Sequence, residues 1–185
     1  MDVDMEATGA RPEGPDSRDR VLQARGISEP STASCLLAVD VGNTVTKFGV
    51  FAADELAGTW EVTTSERCTA DEAWAQAACA IDMLGAPEPT SAILSCVVPS
   101  LAEVWRSALG KLCGTRACVV GPGLKSGIRM RYDDPSEVGS DRVADAVAAR
   151  ETYGAPVVVV DLGTTTNIEV VDESGAFAGG IIAPG

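Results

Sequence analysis

One short pattern occurs twice in this chain, and that repetition constrains the fold more than any other feature. Leu36-Leu37-Ala38-Val39-Asp40-Val41-Gly42-Asn43-Thr44 is an apolar run ending in Asp-x-Gly-x-Thr, and Val157-Val158-Val159-Val160-Asp161-Leu162-Gly163-Thr164-Thr165 repeats it. An apolar run of this length bounded by turn residues reads as a buried strand, and the Asp-x-Gly-x-Thr reads as the tight turn after it. Glycine lets the backbone turn sharply and come close to a ligand. The neighbouring Asn and Thr side chains and free backbone N–H groups suit phosphate oxygens. Each Asp suits a magnesium ion, directly or through water. A single such turn is ordinary strand-end chemistry. Two copies, each followed by a second β-like run, point to two loops that clamp a nucleotide.

Composition narrows the classes. The 185 residues suffice for a real core, in one domain or two small ones. A net charge of −13 argues against nucleic acid as a direct partner, because a phosphate-backbone surface needs clustered Lys and Arg. No apolar run approaches membrane-spanning length, and the start lacks a basic stretch followed by an apolar one. A cytoplasmic location without membrane contact is the expectation. The six cysteines are scattered without a Cys-x-x-Cys pair, and there is no histidine. Buried free thiols are therefore expected, rather than zinc ligands or a disulfide framework. Without histidine, Ser-His-Asp and Cys-His catalysis are excluded for this chain alone, and a general base must be Asp, Glu, Lys or Tyr.

Residues 1–34 are rich in Gly, Pro, Ser and Ala without apolar periodicity and read as a tail, with a short helix around 18–25 at most. Strands are predicted at 35–40, 45–52 and 57–64, a helix at 70–84, a strand at 91–98, a helix from Pro99 to about 112, and a short strand at 117–120. Residues 121–139 form a long segment of little periodicity, followed by a helix at 140–153 and strands at 157–161, 167–171 and 176–182. This α/β order is similar to the ribonuclease H-like plan of the actin, sugar-kinase and chaperone-ATPase superfamily. In that plan duplicated βββαβα lobes face each other. The first lobe is expected at 35–154, and 155–185 is the start of an incomplete second lobe.

Other constellations carry chemistry. Lys47 reads equally as a phosphate-binding point charge and as an exposed strand lysine. Gly139-Ser140-Asp141-Arg142 opens a helix: Asp141 suits proton acceptance from a hydroxyl, and Arg142 suits bidentate binding of a carboxylate or phosphate. Simple capping by Ser140 with an acidic first turn is the alternative. Tyr132-Asp133-Asp134-Pro135 reads as a metal-binding pair or a solvated turn, and Gly179-Gly180 as a close backbone approach or a bulge. Trp60, Trp74 and Trp105 are expected in the core.

Taken together, these motifs resemble the type III pantothenate kinases, from Leu36 to Gly185. The segments that carry the resemblance are Asp40-Val41-Gly42-Asn43-Thr44 with Lys47, Ser95-Cys96-Val97-Val98-Pro99, Gly127-Ile128 with Tyr132 and Pro135, Gly139-Ser140-Asp141-Arg142, Asp161-Leu162-Gly163-Thr164, and Gly179-Gly180-x-Ile182-x-Pro184-Gly185. The resemblance implies ATP-dependent phosphorylation of pantothenate to 4'-phosphopantothenate, the first step of coenzyme A synthesis, in a homodimer. It implies that Asp40, Gly42, Asn43, Thr44, Lys47 and Thr164 meet the magnesium–ATP phosphates, with magnesium at Asp40. Asp141 is implied as general base, in a pantothenate pocket lined by Tyr132, Gly139, Ser140, Asp141 and Arg142. Asp161 is implied as the ligand of a monovalent cation, potassium or ammonium.

There are departures. Ser140 stands where Ala is commoner, and Asn167 and Glu169 depart from the usual Ala-Thr-Thr-x-Asp sequel of the second loop. The chain stops where the family continues, so a truncated form is expected, inactive or nearly so by itself. The competing reading is a non-catalytic binding or regulatory protein of the same fold.

Overall fold

The computed structural model describes residues 34–53, 55–121, 124–131 and 138–185. The expected tail and its short helix, and the Tyr132-Asp133-Asp134-Pro135 segment, lie outside the described residues apart from Ser34.

The first repeat folds as predicted, within a residue or two at each boundary. β1 (Cys35–Val41), β2 (Val45–Ala52) and β3 (Glu55–Thr63) form an antiparallel meander. β4 (Ser91–Cys96) returns parallel to β1, and β5 (Cys118–Val119) is parallel to β4, so the sheet order is β3-β2-β1-β4-β5. The two parallel pairings need crossovers. These are the helices α1 (Ala70–Met83) and α2 (Pro99–Cys113). α1 starts where Thr69 and Glu72 form a reciprocal capping box. α2 starts with Pro99 in its first turn and stops at Gly114, whose φ of 64° favours glycine.

Alternation along β1 puts Leu37, Val39 and Val41 on one face, 0–2% exposed. Ala73, Ala77 and Ala80 of α1 and Leu101, Trp105 and Leu109 of α2 are buried in the same core. Phe48 meets Trp105 at 5.6 Å between ring centroids. Trp60 is only partly buried, and Trp74 departs from the expectation. Trp74 is on the outer side of α1 at 37% exposure, with the Lys111 ammonium 5.5 Å over its ring. An aromatic ring can be covered by a cation instead of a core. The thiols also depart in part: all six are free, but Cys79 and Cys118 are exposed and only Cys35 and Cys68 are buried.

The second sheet has the order β6-β9-β8-β7. β7 (Val157–Leu162), β8 (Thr165–Val171) and β9 (Ala176–Pro184) repeat the antiparallel meander, and β6 (Arg129–Met130) adds parallel to β9. β6 was not predicted; it lies in the segment that read as a loop. Between the sheets runs α3 (Ser140–Tyr153), whose Val143, Ala146 and Val147 pack with Val171 and Phe177. The last part of the 35–154 segment, β6 and α3, therefore packs with the second sheet. The architecture is a ribonuclease H-like α/β fold with the second unit incomplete. No helix among the described residues is long and apolar enough to cross a membrane.

Candidate functional site

The two loops meet. Thr44 Oγ1 and Thr164 Oγ1 share a hydrogen bond of 3.1 Å across 120 positions of sequence. Each loop is closed by its glycine: Gly42 N–H donates to the Val45 carbonyl and Gly163 N–H to the Thr165 carbonyl, both at 3.0 Å. A Cβ at Gly42 would lie 2.9 Å from the Val45 oxygen, so the first turn excludes a side chain there. Asn43, Thr44 and Thr164 are exposed at the loop tips.

Strand register sets the charges beneath the loops. Ser95 pairs with Asp40, Asp40 with Lys47, and Lys47 with Glu61, which makes one polar row across β4, β1, β2 and β3. Lys47 is exposed on this row. Burial pushes the Asp40 carboxyl above its ordinary value; a hydrogen bond from Ser95 and the charge of Lys47 oppose the rise, and the charges of Asp141 and Asp161 add to it. One oxygen, Asp40 Oδ1, is buried with no partner.

In the second repeat the neighbour across from Asp161 is not a lysine. The turn is one residue shorter, and Asp161 pairs with Asn167. Thr165 Oγ1 donates to Asn167 Oδ1 at 3.3 Å.

The start of α3 is built differently from the capping alternative. Gly139 is the N-cap and no side chain caps the helix. The Ser140 hydroxyl instead crosses to β4. There it accepts from Cys96 N–H at 3.0 Å and shares a hydrogen bond of 3.1 Å with Ser95 Oγ. Asp141 is half-buried, and its Oδ1 accepts from Arg142 N–H at 2.8 Å. A Cβ at Gly139 would collide with the Asp141 carboxylate.

Arg142 does not stand free as a bidentate fork. It is 7% exposed, and its Nε donates to Glu169 Oε1 at 2.8 Å. Its guanidinium lies 5.8 Å from the centre of the Phe177 ring. The pair is one-armed: Arg142 Nη2 and Glu169 Oε2 are both buried without a partner. Gly180 makes room for it, since a Cβ there would come within 2.5 Å of Arg142 Nη2. Both readings of Gly179-Gly180 thus hold, because the β8–β9 register also shifts at this point.

Sequence reasoning missed two residues here. Glu169 was noted only as a departure, and nothing local announces a partner 27 positions away. Asp145 lies one turn beyond Asp141 on α3, a spacing that puts both on one face. Its carboxyl is pushed up to about 6, first by burial and then by the charges of Asp161, Glu169, Asp141 and Asp40. Among the described residues, no three Asp, Glu, Cys or His side chains are arranged to share a metal ion.

Two glycine-closed loops in contact, each following the first strand of a repeated meander, with a helix N-terminus beside them, place the chain in the ribonuclease H-like α/β class. The profile of the type III pantothenate kinases matches residues 36–185. Relatives named type III pantothenate kinase include one from Moorella thermoacetica, 41% identical over 152 residues, and one from Rhodospirillum centenum, 45% identical over 153. Each match covers 81% of this chain. The chain belongs to the type III pantothenate kinase family, and it spans about 60% of the length of these relatives. Among solved structures, the ethanolamine utilization protein EutJ from Carboxydothermus hydrogenoformans aligns over 86% of this chain and 55% of its own, at 16% identity and a TM-score of 0.49.

Proposed function

We propose that this chain supplies the phosphate clamp and the pantothenate side of an ATP-dependent pantothenate kinase, with the remaining length of the family needed for turnover. The hydrogen bond between Thr44 and Thr164 carries the reading, because it brings the two loops together at one point. Asn43, Thr44, Lys47 and Thr164, with the backbone around Gly42, hold the phosphates. Asp141 takes the proton of the pantothenate hydroxyl. The hydroxyl oxygen then bonds to the γ-phosphorus as the bond to the β-phosphate oxygen breaks, and ADP leaves. Gly139, Ser140 and Arg142 line the pantothenate side with Tyr132. The unpartnered Nη2 of Arg142 supports a single hydrogen bond to the pantothenate carboxylate, since Glu169 already takes Nε.

Magnesium bound with nucleotide phosphates needs only one or two protein carboxylates. The orphaned Asp40 Oδ1 fits that demand, and such an ion supplies charge neutralisation on the phosphates. Asp161 faces neutral Asn167 where Asp40 faces Lys47, so its charge lacks a paired cation on the next strand. That supports a singly charged ion there, potassium or ammonium. We extend the reading to a two-lobed arrangement, 35–154 and 155 onward after a tail of 1–34, to a cytoplasmic homodimer, and to no role for nucleic acid or membrane.

The capture of Arg142 by Glu169 favours one second reading, a family member that binds nucleotide without turnover. A coupled ADP-release assay separates the two. The chain is joined to the remaining portion of the Moorella thermoacetica relative and supplied with ATP, magnesium and potassium. ADP release that depends on pantothenate is expected. ATP binding with no pantothenate-dependent release would replace the kinase by the binding protein.

A further inference from the structure

A buried bridge of hydrogen bonds ties the first turn of α3 to the first sheet. Cys96 N–H donates to Ser140 Oγ at 3.0 Å, and Ser140 Oγ lies 3.1 Å from Ser95 Oγ. Ser95 pairs with Asp40 across β4 and β1, and its hydroxyl hydrogen-bonds the Asp40 carboxylate. Ser95 is 7% exposed and Ser140 8%. The donors run one way. An ionised carboxylate only accepts, and a serine hydroxyl has one hydrogen to donate. Ser95 gives its hydrogen to Asp40. The hydrogen between the two serines therefore comes from Ser140, whose own oxygen accepts from Cys96 N–H. Hydrogen bonds in series like this polarise and strengthen one another.

The place of the bridge gives it a use. The body of α3 packs on the second sheet: Val143, Ala146 and Val147 lie with Val171 and Phe177, and Arg142 pairs with Glu169 on β8. Ser140, the first residue of α3, reaches β4 of the first sheet instead. The next residue is Asp141, whose charge acts on Asp40. Two carboxylates this near repel, and the repulsion pushes the start of α3 away from β1. The bridge opposes it from the residue next to Asp141. It also leaves Asp40 half free, because Ser95 takes one oxygen while Oδ1 has no partner.

We propose that Ser140 is a positioning residue: its hydroxyl, engaged by Ser95 and Cys96 rather than by a ligand, holds the start of α3 against β4 so that Asp141 and Asp40 face one ligand at a fixed separation. The role in turnover rests on the kinase reading above; the bridge itself does not. A base held at a fixed distance from the phosphates keeps the reacting groups aligned, and small misplacements from outside the reacting centre are costly.

The test compares the parent with Ser140→Ala, Ser140→Thr, Ser95→Ala and the double variant Ser95→Ala/Ser140→Ala. The first readout needs no turnover. Amide hydrogen exchange of the chain, followed by NMR, should be at least about threefold faster at Cys96 and Val143 in Ser140→Ala, because the net worth of one hydrogen bond is lost locally. Exchange in α1 should stay at the parental rate, which shows the fold intact. The second readout uses the chain joined to the remaining portion of the Moorella thermoacetica relative. Ser140→Ala should lower kcat for pantothenate-dependent ADP release by about three- to tenfold, the share of one hydrogen bond. KM for ATP and for pantothenate should stay within about twofold, since no contact with either is removed. Ser140→Thr keeps the hydroxyl and should recover both kcat and the protection of Cys96. Ser95→Ala cuts the same bridge, so the double variant should be no slower than Ser95→Ala alone. Parental exchange at Cys96 in Ser140→Ala would remove the bridge. Faster exchange with parental kcat would remove the positioning role, and a tenfold rise in KM at parental kcat would make Ser140 a substrate contact instead. A joined parent without pantothenate-dependent turnover would sink the kinase reading, and the role of Ser140 in turnover with it, while the exchange rates separately decide the bridge.

Discussion

Removing Glu169 should cost the chain a large share of its stability, and removing Arg142 with it should restore most of the loss. Glu169 is fully buried, and the Arg142 side chain is 9% exposed. Glu169→Leu leaves a guanidinium in that place with no counter-ion. Breaking a buried pair in this way costs about 3–5 kcal/mol. Against a total of about 5–15 kcal/mol for a native protein, that is a severe loss. In a chain of this size about 1 kcal/mol moves Tm by about 2–4 °C, so a fall of about 6–20 °C is expected. The intact pair is one-armed, with Nη2 and Oε2 unpartnered, and each buried polar atom left unsatisfied costs about 1–3 kcal/mol. The pair therefore contributes less than its geometry suggests, and Arg142→Met with Glu169→Leu should lie within about 2 kcal/mol of the parent or above it. Urea denaturation of the parent, both single variants and the double variant gives the cycle, with an unchanged slope m as the check on two-state behaviour. A Glu169→Leu variant within about 0.5 kcal/mol of the parent would refute the reasoning. Additive single effects would refute it equally.

Two further outcomes follow from the site. Asp141→Asn, made in the chain joined to the rest of a relative, should leave ATP binding intact and reduce turnover by about 10²–10⁴-fold, the usual share of general-base catalysis. Steady-state ADP release with calorimetric ATP titration checks both halves, and parental turnover would end the assignment. Asp145 has a carboxyl raised to about 6 in the folded state, above the unfolded value, so folding binds a proton between about pH 4 and 6. Its ionised form opposes folding, and the stability held below about pH 4 declines as pH rises through 6. After discounting for partial solvent screening, Asp145→Asn should gain about 1 kcal/mol at pH 8 and nothing at pH 4 in metal-free buffer. Equal stability of variant and parent at pH 8 would count against the burial argument.

The repeat made the core of this arrangement legible. Asp-x-Gly-x-Thr after an apolar run fixes a strand and its turn, and two copies imply a pair of loops, which Thr44 and Thr164 join. The helix at 70–84 was legible from its apolar spacing, and the helix start at Pro99 because a proline in the first turn is local chemistry. What escaped the sequence was long-range. The Ser140 hydroxyl reads as a cap, but Gly139 takes the cap position and the hydroxyl turns to Ser95 on another element. Glu169 read only as a departure from the family's second-loop pattern, and its partner is Arg142, 27 positions away on α3. Asp145 was not singled out, although its spacing from Asp141 was visible. Trp74 sits on an apparently apolar stripe, and periodicity cannot tell a ring under the core from a ring under Lys111.

The charge around the clamp leads to a last prediction. Asp141, Asp161 and Glu169 lie close enough to raise the carboxyls of Asp40 or Asp145, and Lys47 and Arg142 are the cations among these five carboxylates. Five carboxylates against two cations leave about three negative charges uncompensated where a polyphosphate is proposed to bind. A unit charge about 8 Å from a phosphate oxygen, largely screened by water, opposes binding by about 0.5–1 kcal/mol. Three of them amount to about 1.5–3 kcal/mol, or about 10–150-fold in affinity. A divalent cation carried with the nucleotide would cancel most of that. ATP should therefore bind at least about tenfold more weakly in EDTA than in magnesium at pH 8. The gap should narrow at pH 5, where Asp145 is protonated and one repulsive charge is gone. Calorimetric titration at both pH values, with and without magnesium, measures this directly. ATP affinity that is equal in EDTA and magnesium would mean that the acidic groups do not face the phosphates, and the placement of the nucleotide between the two loops would have to be abandoned.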